Sequence, residues 1–122
     1  MALSHARAGE VVSVEPLGSE LESTKTTTLV KTDHLEIIRL ILKSGKSLPN
    51  HIAPGILIVQ CLEGRVLFQC LGETHKLTPG QFLYLPHAEP HAVESLESAA
   101  LLLTIVRTPP KDPVIDETSE ES

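Results

Sequence analysis

Apolar residues recur along the chain in short runs rich in Val, Ile, Leu and Thr, separated at fairly even spacing by turn signals. This pattern predicts strands at Thr26–Lys31, Leu35–Leu42, Ile56–Leu62, Arg65–Leu71, Thr74–Leu77, Gln81–Leu85, His91–Ser95 and Ala99–Arg107. The breaks between them fall at Thr32-Asp33, Lys43–Pro49, Glu63-Gly64, Gly72-Glu73, Thr78–Gly80, Pro86–Pro90 and Leu96–Ser98. No stretch in this region carries a helical period. Eight or so strands without a long helix predict an all-β protein, a sandwich or a small barrel.

One pair of runs can be taken further. With Glu63-Gly64 as a two-residue hairpin turn, Cys61 would face Val66, Val59 would face Phe68 and Leu57 would face Cys70. Side chains alternate along a strand, so these six share one wholly apolar face, which should point inward. The opposite face mixes Gln60, Arg65 and Gln69 with Ile56, Ile58, Leu62 and Leu67. It is too apolar for plain solvent surface, and a second sheet layer or a second subunit is expected to cover it.

The ends read differently. Residues 1–27 form an N-terminal segment in which Val11, Val12 and Val14 suggest a short strand. Residues 108–122 contain three prolines and five acids with almost nothing to bury, which reads as a disordered acidic tail. A chain of 122 residues suffices for one domain with one core. The formal charge of −6 sits in the two ends, and the stretch 28–107 is neutral.

These balances exclude some partners. No basic stripe is present to neutralise phosphates, and the three aromatics Phe68, Phe82 and Tyr84 are too few for a base-stacking platform, so nucleic acid is not expected. No apolar run approaches the length of a membrane-spanning helix. Two cysteines make no disulfide framework, and with no secretory pattern near the N-terminus a reduced cytoplasmic setting is expected. The best reading of Cys61 and Cys70 is buried apolar filler, since neither has a neighbouring cation to activate it.

Catalytic signatures are scarce. The sequence has no phosphate loop, no CxxC, no HExxH and no GxSxG elbow. The internal acids Glu63, Glu73, Glu89, Glu94 and Glu97 fall at turns or edges, where solvated positions are the default. Of six histidines, His5, His34 and His75 read as surface residues. His51 follows the Gly45–Asn50 turn, and His87 and His91 bracket the Pro86–Pro90 loop. Imidazoles converging from separate strands are candidate ligands for a divalent ion.

Two stretches around these histidines resemble the cupins. The run from Gly45 through His51 to Glu63-Gly64 is similar to the first cupin motif, and Gly80 through Pro86 and His91 to Ser95 is similar to the second. The glycine, proline and histidine spacings match, and the resemblance spans residues 28–107. It implies a single-domain cupin barrel, a double-stranded β-helix of jelly-roll topology. Cupins typically hold a metal with two histidines and a glutamate from the first motif and one histidine from the second. His51 and His91 match the first and last of these ligands. Ala53 stands in place of the second histidine and Leu57 in place of the glutamate, while Ala88 and Ser95 replace a glycine and an asparagine. His87 is a weaker third candidate.

The resemblance therefore points to a barrel pocket lined by His51, Leu57, Val59, Phe68, Cys70, Tyr84 and His91, binding a small organic molecule without a full metal site. The alternative is a metal-dependent oxygenase or isomerase with a divalent ion on His51, His91 and His87. A third reading is an interaction module that uses the apolar outer face. Because cupins commonly pair through such sheets, a homodimer is expected.

Overall fold

A computed structural model of the protein describes residues 5–107; the acidic stretch 108–122 lies outside the described residues. The described residues form nine strands: β1 (Thr27–Lys31), β2 (Leu35–Leu42), β3 (Ser47–Ile52), β4 (Ile56–Glu63), β5 (Val66–Cys70), β6 (Glu73–Leu77), β7 (Phe82–Leu85), β8 (Pro90–Ser95) and β9 (Ala99–Val106). They form two antiparallel sheets, one of five strands in the order β1-β2-β9-β4-β7 and one of four in the order β3-β8-β5-β6. The sheets face each other as the jelly roll that the resemblance implies, consistent with the sandwich or small barrel expected from the strand pattern. No helix among the described residues is long and apolar enough to cross a membrane.

The core comes from alternation. Along β4 Leu57, Val59 and Cys61 are buried, and along β5 Val66, Phe68 and Cys70 are buried, while the residues between them are partly exposed. Ala99, Leu101 and Ile105 of β9 and Leu85 of β7 complete the same cluster. Each large aliphatic or aromatic side chain removed from water here contributes roughly 1.5–3 kcal/mol.

The predicted β4–β5 hairpin does not form. β4 pairs with β7 and β9, and β5 pairs with β6 and β8, so the two strands belong to opposite sheets. The register of β4 against β9 shifts between Cys61 and Glu63, and Gly64 takes a positive φ of 80° as the chain crosses over. A Cβ at Gly64 would collide with the Ser98 carbonyl and with Ala99. Each strand thereby gains two neighbours instead of sharing one pairing. The inward set is nevertheless the predicted one, because alternation fixes the side of a strand and not its partner.

Three further expectations are corrected. Lys43–Pro49 was expected as a break, yet Ser47–Ile52 is a strand. Pro49 is tolerated because β3 is an edge strand and its register with β8 shifts between Leu48 and His51, where no ladder N–H is needed. Val11–Val14 forms no strand. The N-terminal segment instead ends in a 3-10 helix at Gly18–Ser23 that buries Leu21. Its anchor is Glu63, whose carboxylate accepts the backbone N–H of Leu17 at 2.7 Å and of Gly18 at 2.8 Å. Glu63 is thus no solvated turn residue.

Removing that carboxylate should free the N-terminal arm and leave the barrel intact. Glu63→Ala is expected to cost about 1–3 kcal/mol locally. Amide hydrogen exchange should quicken at Leu17 and Gly18 while β4 and β9 stay protected; unchanged exchange at those two amides would contradict the anchor.

Candidate functional site

The β3–β8 pairing builds the site. His51 and His91 are direct register partners, so both side chains project from the same side of the sheet. Their ring centroids lie 4.2 Å apart, edge to face at 62°. His91 is only 4% exposed and stacks on Phe68 of β5 at 5.4 Å and 11°. His51 lies at the exposed rim. Among the described residues these are the only polar side chains lining a cavity of about 210 Å³ between the two sheets.

Each histidine is oriented by its own strand. His51 Nδ1 lies 2.9 Å from the Pro49 carbonyl oxygen, and His91 Nδ1 lies 3.1 Å from that of Glu89. A carbonyl oxygen only accepts, so Nδ1 carries the proton in both rings. In the neutral ring Nε2 is then a bare lone pair. Burial pushes the His91 imidazole below its ordinary value; the Glu89 carbonyl opposes this, and the neighbouring His51 adds to it. His91 is therefore neutral at pH 7.

The rest of the wall is hydrocarbon. Leu57, Val59 and Phe68, named in the sequence reading, line the cavity. Two other expected residues do not. Tyr84 is 61% exposed, because β7 pairs with β4 so that Tyr84 stands opposite Ile58, on the outer face. Cys70 is buried and opposite His91 in register, but it lies outside the cavity lining, next to the surface hollow of Leu71 and Glu73. Burial raises the thiol pKa of both Cys70 and Cys61, in keeping with inert filler.

Sequence reasoning missed the wall given by β2 and β9. Ile38 faces Leu103 and Leu40 faces Leu101 across the β2–β9 ladder, and all four line the cavity. β2 is nearly all apolar and offers no alternation to say which side points in. Only the polar interruptions at Glu36 and Arg39 were available as a signal, and they fall on opposite sides.

The donor set does not fit a resident metal. A protein metal centre takes three or four ligands. His87, the third candidate, lies in the exposed turn between β7 and β8 and does not line the cavity. Ala53 and Leu57, in the positions where the cupin pattern has its other two ligands, both line the cavity with hydrocarbon. Among the described residues no group of three or more His, Cys, Asp or Glu converges.

Comparison with known proteins agrees with this architecture. The family model of the AraC-like ligand binding domain matches residues 38–112. A conserved protein of unknown function from Streptococcus pyogenes is similar in structure, with a TM-score of 0.67 at 25% identity over 89% of this chain and 99% of that one. A cupin 2 conserved barrel domain protein from Leptotrichia buccalis has a TM-score of 0.64 at 27% identity, over 85% of this chain and 44% of its own. A cupin superfamily protein from Desulfitobacterium hafniense superposes with a TM-score of 0.69 at 17% identity, over 84% of this chain and 100% of that one, which speaks for the fold alone. No curated protein matches the sequence.

The lowered His91 pKa has a consequence for stability. The unfolded ring takes up its proton near pH 6.5, the folded ring only at lower pH. Between those values the unfolded state binds more protons, so stability should fall as pH falls through that window. His91→Phe is expected to flatten this part of the stability profile in denaturant titrations. An unaltered pH dependence would contradict the assignment.

Proposed function

The chain belongs to the AraC-like ligand-binding family of cupin-type domains, and from that membership we propose that it binds a small organic molecule in the cavity between its sheets. One observation carries the reading. The sheets enclose about 210 Å³ whose wall is apolar except for two histidines, the usual form of a small-ligand site. A cavity of about 150 Å³ accepts benzene, so the occupant here has on the order of eight to ten non-hydrogen atoms. Ile52, more than half exposed, and Pro54 line the mouth and give a route in.

We further propose that two copies pair through the outer face of the five-stranded sheet. Ile58 stands opposite Tyr84 there, and Phe82 and Tyr84 are 66% and 61% exposed. Five strands of four to eight residues, spaced about 4.8 Å apart, project an area of about 500 Å², at the small end of what each partner gives to an interface. The outer face of the smaller sheet carries Gln69, Thr74, Lys76 and Glu94 and suits water instead. The buried unpaired thiols suit a reducing, cytoplasmic setting.

The ligand reading is tested by screening untagged protein against small aromatic and aliphatic fragments, observed by backbone amide NMR. Shifts should concentrate at His51, Phe68 and His91, and Leu48→Trp, which fills the cavity from its half-buried place in β3, should weaken binding at least tenfold. Near-stoichiometric metal retained by the untagged protein and lost in His51→Ala/His91→Ala would overturn the reading in favour of a metal-dependent enzyme. For the pairing, light scattering should give twice the chain mass for the wild type and the single mass for Tyr84→Glu; a monomeric wild type would refute it.

A further inference from the structure

The two histidines also determine which molecules the cavity accepts. Their Nδ1 protons are spent on the Pro49 and Glu89 carbonyls, so in the Nδ1–H tautomer the ring nitrogen left for a ligand, Nε2, is an acceptor and not a donor. Among the described residues the lining contains no Lys, Arg, Ser, Thr, Asn or Gln side chain. A ligand therefore meets two imidazoles, their centroids 4.2 Å apart, in an otherwise hydrocarbon wall.

Resting on the reading of this cavity as a ligand site, we propose that it selects uncharged molecules with an apolar body and one hydrogen-bond donor, or two adjacent donors, at one end, phenols being the simplest case. A carboxylate of the same size brings only acceptors. It would set its charge against the Nε2 lone pairs with no cation nearby, and burying it would strip its hydration without return. A polyol is disfavoured for a related reason, since its remaining hydroxyls would find no partner along Leu57, Val59 and Leu101. The Phe68 ring stacked on His91 holds that imidazole in place, so the acceptor is set before the ligand arrives.

The test uses phenol, its near-isostere fluorobenzene and benzoate, titrated at pH 7.5 into untagged protein in the presence of a chelator. Phenol should bind at least tenfold more tightly than benzoate. In His91→Phe the ratio of phenol to fluorobenzene affinity should drop about tenfold, the loss of one hydrogen bond, while fluorobenzene still binds. His51→Phe replaces a rim residue, and it should show the same drop even where the buried His91→Phe variant does not fold. A phenol-to-fluorobenzene ratio unchanged in the folded variants, or benzoate as the tightest ligand, would overturn the donor preference and leave the cavity reading standing. If none of the three probes binds at millimolar concentration, both fall.

Discussion

Two facing sheets with period-two strands set every other feature of this protein. Each strand must send alternate residues into one shared interior, and the chain must cross between sheets without leaving a ladder unpaired. The turn after β4 meets that demand. Gly64 adopts a backbone conformation open to glycine, and it packs where any Cβ would strike the Ser98–Ala99 backbone. Leu57, Val59 and Cys61 then enter the core from one sheet, and Val66, Phe68 and Cys70 from the other. The site inherits its walls from this arrangement.

Within those walls the polarity comes from two local hydrogen bonds. β3 and β8 bring His51 and His91 into register, and each ring donates to the carbonyl two residues before it. The same device serves in metal centres, where a second hydrogen bond orients a ligating ring. Here the companions are missing: Ala53 and Leu57 supply methyl and isobutyl groups. What remains is a pair of imidazoles set in hydrocarbon, and on the function proposed above they serve an organic ligand more than an ion.

Much of this was legible in the sequence, and what was not has physical reasons. The inward residues of β4 and β5 followed from alternation alone. Their pairing did not, because Glu63-Gly64 suits a hairpin turn as well as a crossover between sheets. The edge strand β3 was hidden by Pro49, which reads as a break unless the edge and the shifted register are known. His51 and His91 emerged from motif spacing, yet Tyr84 was assigned to the wrong side, since a four-residue strand such as Phe82–Leu85 carries too little pattern to fix its register. Glu63 looked like any exposed turn acid. Its role depends on Leu17 and Gly18, more than forty positions away, and no local pattern reports such a contact.

The most direct test of the account is the protonation of the two imidazoles, read from ring nitrogen shifts by NMR on nitrogen-labelled, metal-free protein above pH 7.5. The structure predicts the Nδ1–H form for both His51 and His91, each with an unprotonated Nε2. A proton resident on Nε2 of either ring would contradict it, because the cavity would then present a donor where the account requires an acceptor.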